Sequence, residues 1–261
     1  VSESFAFRVR DWKSLGEITG VVCEADRVLL QFAAVPGMST RPTLQLIKGQ
    51  NHALELQLGW MAERVEGAGA KAEAHYSLPL GGYTLEISQT EGKTSWQITG
   101  DLNEAVVQSV QGSGKVPFEV LTDGSPEVYK ARINLLLQDG EHMYGMGERY
   151  SRMEYRGYSL DNHVYNEYRS QGLKTYMPVP FYMSSSGYGC FLDTTMYSQF
   201  HFGSRESDVL EIEADLESSQ SGLSLFLFLG KPLALIQQLT NVTAKPVLPP
   251  KWSFGPWMSS N

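Results

Sequence analysis

The feature that most constrains the fold is a succession of short alternating or β-branched runs between residue 5 and about residue 229. Each run has the length of one strand, and Gly, Asp, Asn or Pro separates it from the next. The pattern predicts a mainly β fold, an antiparallel β-sandwich. The predicted strands are residues 27–34, 54–60, 83–89, 95–99, 131–137, 181–184, 188–193, 199–203, 209–213 and 223–229.

One segment, "KPLALIQQLTNVTA", follows a different pattern. Leu233, Ile236 and Leu239, with Leu235 beside them, recur at the spacing of one helix face, and Lys245-Pro246 ends the pattern. We therefore expect the sandwich over residues 1–230, followed by a helix and linker over residues 231–248.

The chain closes with "PPKWSFGPWMSSN". The two prolines force an extended approach, and residues 251–258 are typical of a buried strand rich in aromatic side chains. Trp252, Phe254 and Trp257 would form an exposed apolar patch on a self-contained domain. The sequence therefore predicts that residues 249–261 begin a further unit, which is truncated here or continued in another chain.

Composition narrows the class of partner. A net charge of −8 argues against a nucleic-acid partner, because phosphate backbones are bound by clustered Lys and Arg. No run approaches 18 apolar residues, so we expect no membrane span. Cys23 and Cys190 are too few for a disulfide scaffold or a zinc site, and we expect two buried free thiols and no cofactor. The sequon Asn241-Val242-Thr243 slightly favours a secreted protein.

Residues 147–172, "GERYSRMEYRGYSLDNHVYNEYRSQG", differ in content from the rest of the chain, with five Tyr among many charged side chains. The segment has too few aliphatic residues to form a core and is too long for an idle turn. Tyr combines an apolar face with a hydroxyl, which suits a pyranose ring. Two interpretations stay open: a sugar-binding segment, or a solvated network of surface charges.

Residue types alone offer one candidate pair of catalytic acids. Glu148 and Glu154 have the chemistry of a glycosidase pair, but a retaining pair must face each other about 5 Å apart, and the sequence does not establish that geometry. Glu148 is better interpreted as a structural acid paired with an Arg. No set of His, Asp and Glu has metal-ligand spacing.

Three motifs in order resemble glycoside hydrolase family 31: "YGMGERY" at 144–150, "VPFYMSSSGYGCFLDTTMYSQFHFG" at 179–203, and "LGKPLALIQQLTNVTAKPVLPPKWSFGPWMSS" at 229–260. The resemblance implies a galactose-mutarotase-like sandwich followed by the first strand of a (β/α)8 barrel. It also implies a retaining α-glucosidase or α-xylosidase, including transglucosylating types, whose two catalytic aspartates lie in the barrel, outside this chain.

The resemblance also implies that a loop of this domain overhangs the barrel mouth and binds the incoming sugar. Family members present a "WNxD"-type acid there, and the matching stretch here is "VYNEYRSQG", with Tyr168 where the acid would stand. The substrate-binding residues expected on this basis are Asn166, Glu167, Tyr168 and Gln171. The expected partners are an α-linked oligosaccharide or glycoside and the catalytic-barrel half of the same enzyme.

Two alternatives remain. The chain could be a free-standing sandwich that binds carbohydrate without cleaving it, or part of a sulfoquinovosidase-like enzyme, since "SQG" at 170–172 matches part of that subgroup's loop. The aromatic terminal segment favours the N-terminal part of an α-glycosidase over a free-standing domain.

Overall fold

The computed structural model describes residues 8–50, 53–65, 73–101, 104–110, 114–167, 169–218 and 222–256. Strands dominate these ranges, and one α-helix follows them. In chain order the elements are β1 Asp11–Ser14, β2 Ile18–Cys23, β3 Arg27–Phe32, β4 Arg41–Lys48, β5 Ala53–Met61, β6 Glu73–Pro79, β7 Thr84–Thr90, β8 Lys93–Thr99, β9 Ala105–Gln108, β10 Phe118–Thr122, β11 Val128–Leu136, β12 Met143–Gly145, β13 Tyr158–Asp161, β14 Phe181–Ser184, β15 Tyr188–Asp193, β16 Ser198–Phe202, β17 Val209–Asp215, β18 Leu223–Leu229 and α1 Pro232–Val242.

The strands form three antiparallel sheets, as the alternating runs predict. A six-stranded sheet has the order β1-β10-β11-β17-β16-β13, and an eight-stranded sheet has the order β12-β14-β15-β18-β5-β4-β3-β2. A smaller sheet, β6-β7-β8-β9, is built from consecutive strands. The antiparallel pairing and the alternation of buried residues confirm the predicted sandwich class.

The main core lies between the six-stranded and eight-stranded sheets. Phe32 of β3 contacts Phe118 of β10, with 6.3 Å between ring centroids. At the other end, the ring of Tyr182 on β14 lies 5.3 Å from that of Phe202 on β16 in an edge-on arrangement. The same cluster includes Trp96 of the small sheet, so the three sheets share one core. Such aromatic contacts fix the spacing of the layers.

Strand β18, "LSLFLFL", has an almost continuous apolar run because both of its faces are covered. Leu225 and Leu227 point into the main core, whereas Phe226 and Phe228 belong to a second cluster under α1. Leu235 of α1 is fully buried in that cluster. The helix therefore covers the outer face of the eight-stranded sheet.

The predicted helix is confirmed, and its predicted apolar face is half correct, since Leu235 and Leu239 pack in the second cluster as expected. Leu233 is 82% exposed and Ile236 is 42% exposed, whereas Leu235 and Gln238 are buried. The side-chain amide of Gln238 donates to the Leu229 carbonyl over 2.9 Å, so a polar residue occupies an inward position that apolar spacing does not reveal.

Replacing Leu235 by Ala is expected to lower the free energy of unfolding by about 2 kcal/mol, because the change leaves a cavity between α1 and the sheet. Leu233→Ala, at an exposed position of the same helix, serves as the matched control and should change stability by less than about 0.5 kcal/mol. Urea unfolding followed by circular dichroism measures both. Equal effects for the two variants would contradict the observed packing face.

The strand predicted for residues 251–258 is not formed here. Lys251–Phe254 is a short 3-10 helix, in which Ser253 N–H donates to the Pro250 carbonyl over 3.0 Å. A strand needs a neighbour for its backbone groups, and no strand in the described ranges pairs with this segment. Trp252 and Phe254 are 74% and 72% exposed, and Trp257 lies outside the described residues.

The prediction of two buried thiols is half correct, since Cys190 is buried and Cys23 is exposed. Burial raises the pKa of the Cys190 thiol far above its ordinary value, which leaves it inert. No helix in the described part of the chain is long and apolar enough to cross a membrane.

A charged network covers the outer face of the six-stranded sheet. Strand β17 alternates apolar residues that face the core with Glu211 and Glu213, whose side chains are only 3% and 8% exposed. Arg132 on the adjacent β11 contacts Glu213 at 2.8 Å and Glu119 at 3.1 Å. Arg205 contacts both β17 acids. The carboxylates are thus held by several cations at once, as buried acids require.

Candidate functional site

The candidate site begins at the turn of "YGMGERY", directly after β12. Met146 is fully buried with a φ of 65°, and Gly147 follows with a φ of 87°. A Cβ at position 147 would lie 2.1 Å from the carbonyl oxygen of Met177, so only glycine fits against the returning chain. Glu148 N–H donates to that same oxygen over 3.1 Å. The motif thus joins the sheet edge to the segment around Met177.

Arg149 lies immediately beyond this turn and is half-buried. Its Nε donates to the Met146 carbonyl over 2.9 Å, its Nη2 donates to the Asp161 carbonyl over 2.6 Å, and its Nη1 donates to the Leu173 carbonyl. Burial lowers the pKa of the guanidinium, although an Arg at this site stays charged at neutral pH. One side chain therefore contacts three separate parts of the backbone.

The loop of residues 162–172 follows β13 and carries its own bonds. The Tyr165 hydroxyl donates to Asp161 Oδ2 over 2.8 Å, which raises the pKa of Tyr165 to about 12. The side-chain amide of Gln171 donates to the Glu167 carbonyl over 2.5 Å, and Lys174 pairs with the Glu167 carboxylate at 2.5 Å. These polar contacts fix the positions of Tyr165, Glu167 and Gln171.

The loop forms one wall of a cleft of about 740 Å³, which is open to solvent. Tyr150 and Tyr176 contribute aromatic rings that are 67% and 57% exposed. The cleft is lined by Tyr150, Ser151, Asn166, Glu167, Arg169, Ser170, Gln171, Gly172 and Tyr176. Its walls therefore combine flat apolar surfaces with amide, carboxylate and guanidinium groups.

The structure brings together three of the four residues expected from the sequence. Asn166 is exposed on the cleft wall, and Glu167 and Gln171 line the same cleft. Glu167 is already paired with Lys174, so it does not act as a lone negative charge. Gln171 Oε1 is a buried acceptor without a hydrogen-bond partner in the described ranges. Tyr168 lies outside the described residues.

Sequence reasoning missed the two aromatic walls. Tyr150 stands within the Tyr-rich segment but has no feature that distinguishes it from its neighbours. Tyr176 follows the end of that segment, beyond Gly172, and only the fold brings it to the cleft.

Glu148 and Glu154 have separate structural partners. Glu148 accepts a hydrogen bond from the Tyr150 hydroxyl over 2.8 Å, and no Arg lies within ion-pair distance of it in the described ranges, so the predicted Arg pairing is wrong. Glu154 accepts from the backbone N–H of Arg156 over 2.7 Å. Among the described residues, no group of His, Cys, Asp and Glu could hold a metal ion.

The chain is similar to known carbohydrate-active enzymes. Residues 63–201 match the model of the glycosyl hydrolase 31 N-terminal galactose mutarotase-like domain. The isomaltosyltransferase of Sporosarcina globispora is 30% identical over 98% of this chain, which spans 24% of that enzyme. An α-xylosidase of Lactiplantibacillus pentosus is 30% identical over 59% of this chain, and the match spans 20% of that enzyme.

Solved structures share the fold. The cycloalternan-forming enzyme of Listeria monocytogenes, in complex with a pentasaccharide substrate, is 26% identical, with a TM-score of 0.84 over 99% of this chain and 25% of that enzyme. A dextranase of Flavobacterium johnsoniae complexed with isomaltotriose has a TM-score of 0.71 at 20% identity, over 93% of this chain and 30% of that chain. The chain thus spans about a quarter of the length of these relatives.

Proposed function

Because the chain belongs to glycoside hydrolase family 31, as its N-terminal galactose mutarotase-like domain, we propose that it is part of a retaining α-glycosidase of the α-glucosidase or α-xylosidase type. Transfer to a second sugar is the alternative outcome of the same chemistry, and the isomaltosyltransferase among its relatives supports including it. In this proposal residues 1–230 form the sandwich, residues 231–248 form the helix and linker, and residues 249–261 begin the catalytic barrel.

The cleft beside the 162–172 loop is the observation that carries the proposal. A pyranose has C–H faces that pack on aromatic rings and hydroxyls that need donors and acceptors. Tyr150 and Tyr176 offer the rings, and Asn166 offers an exposed amide beside Gln171, whose amide nitrogen is bonded to the Glu167 carbonyl. Lys174 neutralises the Glu167 carboxylate and Arg169 adds a cationic donor, so a neutral oligosaccharide meets no uncompensated Glu167 charge on this wall.

The proposed role of this domain is recognition, and the bond is broken elsewhere. Retaining hydrolysis needs two opposed carboxylates about 5 Å apart. Glu148 and Glu154 are each engaged by their own structural partners, so neither is offered as catalytic. We propose that Asn166, Glu167, Tyr168 and Gln171 bind the sugar beyond the scissile bond, and that the barrel supplies the reacting groups.

Replacing Asn166 or Tyr176 by Ala in the complete enzyme is expected to reduce kcat/KM for an α-linked disaccharide about five- to thirtyfold. Each change removes a hydrogen bond or a stacking face worth about 1–2 kcal/mol. An aryl α-glucoside has an activated leaving group and depends little on binding beyond the scissile bond, so its hydrolysis should change less than about threefold. Steady-state kinetics on both substrates measure the difference.

Met153→Ala is the matched control, because Met153 is 84% exposed in the same segment but does not line the cleft. It should leave both substrates unaffected. If the Asn166 and Tyr176 variants matched wild type on disaccharides, the cleft would not be a sugar site. A complete enzyme that cleaved no α-glycoside would contradict the proposed activity itself.

A further inference from the structure

Arg149, like Arg156 of the same segment, has its guanidinium bound by main-chain carbonyls. Its hydrogen bonds go to the carbonyl oxygens of Met146, Asp161 and Leu173. No carboxylate within the described ranges lies at ion-pair distance from it. Directional hydrogen bonds therefore hold this half-buried cation, since the planar guanidinium offers N–H donors in several directions at once.

The three carbonyls that Arg149 contacts lie at the two ends of the loop and at the edge of the eight-stranded sheet. Asp161 is the last residue of β13, where the loop begins, and Leu173 lies just after residue 172, where the loop ends. Met146 belongs to the rigid turn at the edge of the eight-stranded sheet. One side chain therefore joins both ends of the loop to the sandwich.

Asn162, the first residue of the loop, bonds to Ser198 of β16: its backbone N–H donates to the Ser198 carbonyl over 3.1 Å and its side-chain amide donates to Ser198 Oγ over 2.7 Å. The contacts further along the loop act differently. Gln171 bonds to Glu167, and Lys174 pairs with Glu167, so these bonds shape the loop from within. The backbone bond from Tyr165 to Thr175, at 2.9 Å, also joins the loop to its own return. These contacts would keep the loop's shape if it shifted as a unit. Arg149 bonds to the backbone at both ends of that unit and so helps to set where it lies relative to the eight-stranded sheet.

We propose that Arg149 is a positioning residue for sugar recognition: it places the side chains of Asn166, Glu167 and Gln171 over the substrate without contacting the sugar. Arg149 itself does not line the cleft, although its neighbour Tyr150 does. The inference rests on the proposed function of the loop. Lys could not replace Arg149, because a single ammonium cannot reach three carbonyls that lie in different directions.

The test uses Arg149→Lys in the complete enzyme, with Arg156→Lys as the matched control. Arg156 also bonds to three backbone carbonyls, those of Gln138, Glu141 and Ser207, but none of them adjoins the loop. The Arg149 variant is expected to raise KM for isomaltose about tenfold and to change kcat for an aryl α-glucoside less than about twofold. Hydrogen exchange of residues 162–174 should accelerate in this variant and not in the control.

Arg149→Gln, which keeps a planar pair of N–H donors, provides a second variant if the first does not fold. We expect its KM for isomaltose to lie between the wild-type value and the tenfold higher value expected for Arg149→Lys. An unchanged KM for isomaltose in a folded Arg149 variant would overturn the inference alone. Equal losses on both substrates, or equal losses in the Arg156 control, would also overturn it, because they indicate general destabilisation. A wild-type enzyme inactive on every α-glycoside would instead overturn the proposed function, and this inference with it.

Discussion

Gly147→Ala is expected to lower the free energy of unfolding by about 3–4 kcal/mol and to detach the segment around Met177 from the sheet. The new Cβ would meet the Met177 carbonyl oxygen at 2.1 Å and Val179 N at 2.7 Å, and both are backbone atoms that cannot rotate away. The left-handed backbone costs about 1–2 kcal/mol for a residue with a Cβ, and the steric overlap adds a similar amount. Chemical denaturation measures the loss.

Gly157→Ala is the control for the backbone contribution alone. Gly157 has nearly the same conformation, with a φ of 83° against 87° for Gly147, but nothing lies within 4 Å of an added Cβ. Its variant should lose only about 1–2 kcal/mol. If the two alanine variants were equally stable, the close approach between Gly147 and Met177 would not exist in solution.

Arg132→Met is expected to destabilise the sandwich by about 3 kcal/mol, because it removes the cation shared by Glu119 and Glu213 from a largely buried network. This loss of stability is near the lower end of the range for removing one partner of a buried ion pair. Arg205 still contacts Glu213 in the variant, and the Asn134 amide still donates to Glu119. The Arg132 guanidinium also stacks 3.7 Å above the Trp12 ring, and that contact is lost as well.

The same network makes stability depend on pH. Burial raises the pKa of Glu213, but hydrogen bonds from Arg205 and Arg132 outweigh burial and hold its pKa below the ordinary value of 4.5. A carboxyl group with a lowered folded-state pKa stabilises the protein above the unfolded-state pKa, and this contribution is lost as the pH falls through the folded-state value. The free energy of unfolding should therefore fall as the pH drops below 4.5, and less steeply in Arg132→Met.

Arg27→Met provides the comparison at the surface. Arg27 pairs with Glu24 at 2.8 Å, but both side chains are nearly half exposed. An exposed pair of this kind contributes little, because water screens it. Unfolding curves at several pH values would separate the two variants. A pH profile of Arg132→Met as steep as that of wild type would show that Glu213 does not depend on Arg132.

The sequence predicted strands well where both sheet faces carry apolar side chains. The predicted runs 181–184, 188–193 and 223–229 have the observed bounds of β14, β15 and β18, which lie side by side in the eight-stranded sheet. Their residues contact the core on one face and other apolar residues on the second, so the apolar run ends where the strand ends.

Strands with weaker apolar signals were missed. Strand β4 lies in the middle of the eight-stranded sheet, yet Pro42 near its start masks the alternating run that follows. Strand β6 is an edge strand with only Leu78 buried, so its sequence resembles a polar connection. The predicted strand at residues 251–258 had a strong apolar signal and was nevertheless wrong. An aromatic run indicates burial, but a strand also needs a neighbouring strand, which the run does not specify.

The candidate site was predicted only in part, because some of its walls depend on contacts between segments that are distant in the sequence. Composition identified the loop, and the resemblance selected Asn166, Glu167 and Gln171, which line the same cleft. The aromatic walls depend on the return of the chain against Gly147, a contact between distant backbone segments that residue types do not encode. The pairing of Glu167 with Lys174 also required the folded loop.

The carbonyl contacts of Arg149 have a consequence for which substitutions this domain can accept. Every amino acid supplies the same main-chain oxygen, so the grip of Arg149 on Asp161 and Leu173 makes no demand on which side chains the loop carries. Mutations at the tip can accumulate without moving its anchors. Exposed residues at the tip, such as Asn166, can therefore change while Arg149 and the glycine turn hold the ends of the loop, whereas Glu167 and Gln171 are tied by their own contacts.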